Sequence, residues 1–164
     1  MAQKPTVGIL VGSDSDVETM NRAKATLEEL GIPYDFLLAS AHRTPDRVRA
    51  YAEEAAARGV RVIICAAGMA AHLSGAVAAL TDLPVIGVPM PGGVADGLDA
   101  LLSTVQMPAG VPVAAVAVGK AGATNAALLA ARILALQDDK LRARLRDYRA
   151  KMAAATGTEE EKAG

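Results

Sequence analysis

The sequence predicts an α/β fold in which a central parallel sheet carries helices on both faces. Five short runs rich in valine, isoleucine and leucine recur along the 164 residues, and most are continuously apolar, as expected for strands covered on both sides. Alanine-rich segments with helix start and stop signals separate these runs. The length suits one domain, so we expect the alternating strands and helices to form one sheet joined by right-handed crossovers.

The elements follow from these signals in order. Strands are predicted over residues 7–11, 34–39, 61–66, 84–88 and 112–118. The first helix, over residues 17–30, follows a run of aspartates and a serine and ends at Gly31. The second opens at Pro45 and ends at Arg58, directly before Gly59.

Two further helices are predicted beyond the fifth strand. Residues 122–136 are apolar nearly all round, which is typical of a buried helix, so we expect subunits to associate. Residues 138–155 form a basic amphipathic helix, a pattern that also suits membranes or nucleic acids. We expect its apolar face instead to pack on a neighbouring subunit; that face carries Leu141, Leu145, Tyr148 and Met152. Residues 1–164 are predicted as a single domain, with its core over about 6–137 and a frayed tail over 157–164.

Composition narrows the classes of function. A net charge of −1 gives no general attraction to nucleic acid or anionic lipid, and four aromatic side chains cannot build a base-stacking platform. The single cysteine, Cys65, is expected to be a small buried hydrophobic residue. No segment has the features of a membrane span or a signal peptide. We therefore expect a cytoplasmic protein without nucleic-acid or membrane partners.

Ligands of parallel sheets bind at the carboxyl ends of the strands, so the loops at that edge are the candidate sites. In the first loop, Gly12 permits a tight turn. The hydroxyls of Ser13 and Ser15, with free N–H groups at a helix start, can bind phosphate, and the Asp16 carboxylate suits a ribose diol. Simple capping of the helix by Ser15 or Asp14 explains this loop equally well.

The second loop, Ser40-Ala41-His42-Arg43-Thr44-Pro45, carries the strongest chemical signal. His42 can donate or accept a proton near neutral pH, and Arg43 can bind phosphate bidentately. The alternative is a helix-start histidine bonded to local backbone beside a surface arginine, which leaves the accompanying Ser40 and Thr44 unexplained. This loop therefore predicts a site for an anionic substrate that gains or loses a proton.

The third loop, residues 67–75, consists mainly of small residues. Gly68 and Ala70 let the backbone approach a flat ligand, and Leu73 contributes an apolar wall. His72 adds a polar group there. Taken alone, His72 is as consistent with a helix-start residue as with a binding role, and its place beside the other loops favours binding.

Six segments in this order resemble the N5-carboxyaminoimidazole ribonucleotide mutases of purine biosynthesis, the class I branch of the aminoimidazole ribonucleotide carboxylases. They are GSDSD (12–16), SAHRTP (40–45), AAHL (70–73), PVIGVP (84–89), STVQMP (103–108) and GKAGATNAA (119–127). The resemblance covers residues 7–136. It implies a flavodoxin-like three-layer αβα sandwich, a homo-octamer whose C-terminal helices reach neighbouring subunits, and no metal or organic cofactor.

The resemblance also implies roles for the loop residues. Ser13, Asp16 and Arg43 would bind the ribonucleotide, with Ser15 and Ser40 close by. His42 would protonate the carbamate substrate as it loses CO2 and would then, as a neutral base, remove the C4 proton after C4 attacks that CO2. The loop 68–73 would hold the CO2, with His72 orienting a carboxylate. A carbamate-forming synthetase could deliver the labile substrate by transient contact.

Two departures and two alternatives accompany this interpretation. Met69 stands where the family commonly has glycine, and residues 91–96 are richer in glycine than expected, so loop closure could differ. The sister branch carboxylates the aminoimidazole ribonucleotide directly with CO2 and shares the histidine loop, although AAHL favours the mutase. The second alternative is a non-catalytic flavodoxin-like nucleotide-binding module. A phospho-receiver would need an acid after the third strand, where none stands, and a pure sensor would not need His42.

Overall fold

The computed structural model describes residues 4–155, so the predicted tail 157–164 lies outside the described residues. Five parallel strands form one sheet: β1 (Val7–Val11), β2 (Tyr34–Leu38), β3 (Val62–Ala67), β4 (Val85–Pro89) and β5 (Ala114–Ala115). Their order across the sheet is β2-β1-β3-β4-β5, with every pairing parallel. This is the flavodoxin-like order, and it confirms the predicted fold class.

Helices cover both faces of the sheet. They are α1 (Val17–Glu29), α2 (Pro45–Arg58), α3 (Leu73–Ala78), α4 (Leu98–Val105), α5 (Gly119–Leu134) and α6 (Asp139–Ala155). Short 3-10 helices span Asp14–Asp16 and Val94–Asp96. Helices α1, α5 and α6 share a core with one face, and α2 and α3 share a core with the other. Thr104 of α4 lies beside Gly87 on that second face.

The continuous apolar runs are explained by this double coverage. Successive side chains of a strand point to opposite faces, so Ile9 packs under α1 and α5, whereas Leu10 packs under α2 and α3. Cys65 belongs to the second core and is 1% exposed, which confirms the prediction of a buried thiol. Burial raises the pKa of that thiol and keeps it in the neutral form.

The last two helices pack on the chain's own core. Helix α5 buries small residues against α1 and the sheet. Its apolar character is thus accounted for within one chain, and subunit association stays a prediction. In α6, Leu141 is 2% exposed, and Leu145 and Tyr148 also pack on that core, whereas Met152 is half exposed. Packing of α6 on a neighbour also stays a prediction.

The structure departs from the predicted elements mainly at the sheet edge. The fifth strand, predicted over 112–118, is only two residues long. It pairs with β4 alone, and Pro112 has no N–H to donate to a ladder. Among residues 4–155, no helix is both long and apolar enough to span a membrane.

Candidate active site

A cavity of about 630 Å³ opens at the carboxyl ends of β1, β2 and β3. All ten residues predicted from the sequence line it: Ser13, Ser15, Asp16, Ser40, His42, Arg43, Gly68, Ala70, His72 and Leu73. The structure thus brings the three loops together, as the carboxyl-edge rule requires, while the role of each residue stays a prediction. The rest of the wall is formed by mostly small residues without ionisable side chains, namely Gly12, Ala41, Ala67, Met69, Pro91, Gly92 and Gly93.

The loop after β1 leaves its hydroxyls in the cavity instead of using them as helix caps. Neither Ser13 nor Asp16, the residues at the two N-terminal cap positions, makes a side-chain capping bond. The Ser15 hydroxyl lies 3.0 Å from the Ser13 hydroxyl and 3.1 Å from Oδ1 of Asp16, and it donates to one of them at a time. The capping explanation named Ser15 or Asp14. Neither residue stands at a cap position, and the Ser15 hydroxyl bonds to side chains instead of a backbone N–H, so that explanation is not supported.

Asp16 is the carboxylate of this wall. Partial burial raises the pKa of its carboxyl group, and the hydrogen bond from Ser15 lowers that pKa in part. An ionised carboxylate that has lost water gains from new hydroxyl donors, such as those of a sugar diol.

Gly12 has a different role from the predicted one. Its φ is not in the left-handed region, and a Cβ at this position would meet its nearest neighbours at 3.6 Å, an ordinary contact distance. The turn therefore does not require glycine. What glycine provides is open space in the cavity at the end of β1.

The loop after β2 is a tight, hydrogen-bonded turn that leads into α2. The Thr44 backbone N–H donates to the Ser40 carbonyl at 2.9 Å, and the Ser40 N–H donates to the Thr44 hydroxyl at 2.9 Å. The Arg43 N–H donates to the Ser40 hydroxyl at 3.2 Å. Ser40 thus stabilises the turn through its backbone and its hydroxyl oxygen, and the hydroxyl hydrogen can still be donated to a ligand.

Arg43 also links two loops. Its guanidinium donates to the Gly12 carbonyl at 3.0 Å, which fixes the head group above the end of β1. A guanidinium has five N–H donors, so the remaining donors can bind an anion in the cavity.

The two histidines of the chain meet directly. Nε2 of His42 lies 2.7 Å from Nδ1 of His72, and the ring planes are inclined at 79°. One of these nitrogens must carry a hydrogen and the other a lone pair. The sequence predicted both residues at the site but gave no sign of this contact, because it joins loops that follow two non-adjacent strands.

Met69 adopts a backbone conformation that favours glycine. Its φ is +54°, in the left-handed region, and its side chain is 67% exposed. The Ala71 N–H donates to the Met69 carbonyl at 2.9 Å, which maintains the turn. This conformation explains why a glycine at this point suits the loop.

We therefore expect Met69→Gly to stabilise the protein. The free energy of unfolding should rise by about 1 kcal/mol, because the left-handed conformation no longer costs the folded state. Urea unfolding at matched protein concentration measures this. Met69→Ala is the matched control, since it removes the side chain but keeps the penalty. Equal stabilities of the glycine and alanine variants would contradict the explanation.

The loop after β4 lines the cavity with Pro91, Gly92 and Gly93, which belong to the glycine-rich stretch 91–96 noted in the sequence but were not among the predicted site residues. Gly92 and Gly93 adopt left-handed φ values, which accounts for the glycine-rich stretch. The Gly92 N–H donates to Asp96 at 2.9 Å and the Val94 N–H donates to Asp99 at 3.1 Å, so the loop is fixed to its own carboxylates. Its place after a strand at the carboxyl edge was the available signal.

No group of three or more histidine, cysteine, aspartate or glutamate side chains within residues 4–155 is arranged to hold a metal ion. The arrangement offers a proton-transferring imidazole, a fixed cation, a desolvated carboxylate and several hydroxyl and N–H donors around one chamber. These groups can bind an anionic sugar phosphate and move a proton on whatever it carries.

Comparisons with known proteins agree with this arrangement. The model of the AIR carboxylase family matches residues 6–155. An N5-carboxyaminoimidazole ribonucleotide mutase of Brucella melitensis is 58% identical, over 87% of this chain and 88% of that protein. The mutase of the same name from Bacillus subtilis is 56% identical, over 89% and 90%. The crystal structure of Treponema denticola PurE superposes with a TM-score of 0.83 at 33% identity, over 92% of this chain and 93% of the other.

Proposed function

The chain belongs to the AIR carboxylase family, and we propose that it is an isomerase that converts N5-carboxyaminoimidazole ribonucleotide into 4-carboxy-5-aminoimidazole ribonucleotide. The observation that carries the proposal is the position of His42 in one cavity with Arg43 and the hydroxyl loop after β1. The relatives that share more than half of their residues with this chain include several named as this mutase, which supports the substrate.

The ribonucleotide would be held by its phosphate and its sugar. Ser13, Ser15 and Arg43 supply donors for the phosphate, and Asp16 accepts from the ribose hydroxyls. Ser40 lies beside them in the same cavity. This placement puts the aminoimidazole ring toward His42 and the third loop.

One imidazole can account for both proton transfers of the proposed reaction. Cationic His42 gives a proton to the exocyclic nitrogen as the nitrogen–carboxyl bond breaks, so the electron pair of that bond returns to nitrogen and CO2 is released. Carbon C4, electron-rich through its amino neighbour, attacks the CO2. Neutral His42 then removes the C4 proton and is cationic again.

The CO2 must be retained between these steps. Gly68, Ala70 and Leu73 form a small, mainly apolar wall beside the two histidines. A chamber of this kind keeps water away from the aminoimidazole and holds the neutral CO2 close to C4.

A competition between two substrates tests the proposal. Purified protein is assayed with the carbamate ribonucleotide and, separately, with the free aminoimidazole ribonucleotide plus bicarbonate. We expect efficient turnover of the carbamate. Efficient turnover of the free amine alone would favour the direct carboxylase. That alternative has a named relative: a Saccharomyces cerevisiae protein called phosphoribosylaminoimidazole carboxylase is 52% identical over 88% of this chain and 25% of that protein. Binding without conversion would indicate a nucleotide-binding module.

We also propose a homo-octamer. An apolar stripe on α4 supports association: Leu98, Leu102 and Val105 follow a helical spacing and are 46–49% exposed, and Val94 in the turn before the helix is 67% exposed. Exposed apolar stripes of this kind mark protein interfaces. In the cytoplasm, a transient contact with the carbamate-forming synthetase would shorten the exposure of the labile substrate to water.

Light scattering of the full chain tests the assembly. We expect a mass eight times that of the 16.7 kDa chain, and we expect Leu102→Asp to lower it, because a charge would be buried in the interface. Ala57→Asp is the control, since it adds the same charge to an exposed position of α2. An unchanged mass for Leu102→Asp would exclude the stripe from the interface.

A further inference from the structure

The hydrogen bond between His42 and His72 spans a neighbouring strand. β1 lies between β2 and β3 in the sheet, so the two histidine loops follow strands that are about 10 Å apart. Gly12, at the end of β1, lines the same cavity as both rings and carries no side chain. The contact therefore depends on both loops being held in place.

Both backbones are anchored independently of the rings. On either side of His72, Ala71 and Leu73 are each 2% exposed, and the His72 N–H donates to the Ala70 carbonyl at 2.8 Å. On the other side, the turn from Ser40 to Thr44 fixes the backbone of His42. The separation of the two backbones is thus set by the fold.

Burial does not explain the contact. Both histidines are exposed residues, so water could satisfy their ring nitrogens without an internal bond. Ordering two exposed side chains costs conformational entropy. A function for the ordered pair is the remaining explanation.

The direction of the hydrogen bond follows from the proposed reaction, on which this inference rests. His42 has to exist as a cation and as a neutral base. If His42 donates its Nε2–H to the lone pair of His72 Nδ1, both states keep the bond, and the second proton comes and goes at Nδ1 of His42. If His72 donated instead, protonation of His42 would place two hydrogens against each other.

We propose that His72 is a positioning residue whose Nδ1 accepts a hydrogen bond from Nε2–H of His42, leaving Nδ1 of His42 to exchange the proton with the substrate. His72 keeps its own hydrogen on Nε2 and stays neutral throughout. The bond fixes both the tautomer and the orientation of the catalytic ring, as carboxylates or carbonyls do for other functional histidines.

A spectroscopic test needs no turnover and so does not depend on the proposed function. The full chain labelled with ¹⁵N-histidine is examined by two-bond ¹H–¹⁵N spectra at alkaline pH, where free histidines are neutral. We expect hydrogen on Nε2 in both rings, bare Nδ1 atoms, and a His42 hydrogen protected from exchange with water. That protection should be lost in His72→Ala and kept in His72→Asn, whose amide oxygen can accept in place of Nδ1. A hydrogen on His72 Nδ1 would overturn the proposal.

Kinetics separate positioning from substrate binding. We expect His72→Ala to lower kcat about 20-fold with KM changed less than about 2-fold, and His72→Asn to recover kcat to within about 3-fold of the original. A raised KM with an unchanged kcat would instead make His72 a substrate ligand. Equal losses in the two variants would also count against positioning. If the original chain shows no mutase activity, the proposed function fails while the spectra still decide the hydrogen bond.

Discussion

His42→Asn is expected to lower kcat for the carbamate substrate about 1,000-fold while leaving KM within a few-fold of the original value. Asparagine keeps a polar side chain of similar size but can neither give up nor accept a proton at neutral pH. In the proposed mechanism the same imidazole performs both proton transfers, so its removal should affect N–C bond cleavage and C4 deprotonation together. Phosphate and ribose contacts do not involve His42, and ribonucleotide binding should therefore persist.

Steady-state kinetics and a binding titration with the product ribonucleotide test this expectation. Asp46→Asn is the matched control: it lies on the first turn of α2, directly after the His42 loop, is exposed and does not line the cavity. Its kcat should match that of the unsubstituted chain. Near-normal turnover by His42→Asn would show that His42 is not the catalytic acid and base, even though it lines the cavity.

The sequence predicted four strands to within one residue at each end and the fifth poorly, for a physical reason. β1 is covered on both faces, so its apolar run coincides with the strand, and the prediction for β3 differs by one residue at each end. β2 and β5 both lie at an edge with one partner, but β2 pairs with β1 over five residues whereas β5 pairs with β4 over two. The extent of β5 therefore depends on where β4 and α5 hold the chain. Short helices such as α3 offer too few turns for a period to be recognised.

The candidate site could be predicted as a set of residues but not as a geometry. The carboxyl-edge rule gathers loops without requiring the strand order, which is why all ten residues line the cavity. The contact of His42 with His72 depends on β1 lying between β2 and β3. The alternation of strands and helices does not specify that order, and the flavodoxin-like resemblance that implies it says nothing about where two side chains meet. The absence of a helix cap by Ser13 or Asp16 likewise required the coordinates.

Asp16→Asn is expected to make the protein more stable and a poorer enzyme. Burial raises the pKa of the Asp16 carboxyl above its ordinary value of 3.8, so the folded state binds this proton more tightly than the unfolded state. A group of this kind favours folding below its unfolded pKa and loses that contribution as pH rises through the raised folded pKa. At neutral pH the ionised, partly desolvated carboxylate therefore opposes folding, and a neutral amide removes that opposition.

The pH dependence is the measurement that isolates this effect. The melting temperature of Asp16→Asn should exceed that of the original chain at neutral pH, and the difference should shrink as the pH falls through the raised pKa of Asp16. Asp14→Asn is the control, because it removes the same charge from the same loop outside the cavity. A variant less stable than the original at neutral pH would contradict the sign of this argument.

The catalytic cost of the same substitution has the opposite sign. A charge-assisted hydrogen bond contributes about 1.5–3 kcal/mol, so exchanging the carboxylate for an amide should raise KM for the carbamate about 30-fold if Asp16 accepts from the ribose hydroxyls. The change should fall mainly on KM, because the proposed partner of Asp16 is a part of the substrate that does not react. An unchanged KM would show that Asp16 does not bind the ribose hydroxyls. If Asp16 binds the ribose as proposed, a carboxylate that destabilises the fold has its compensation in the bound complex, where substrate hydroxyls would replace the lost water.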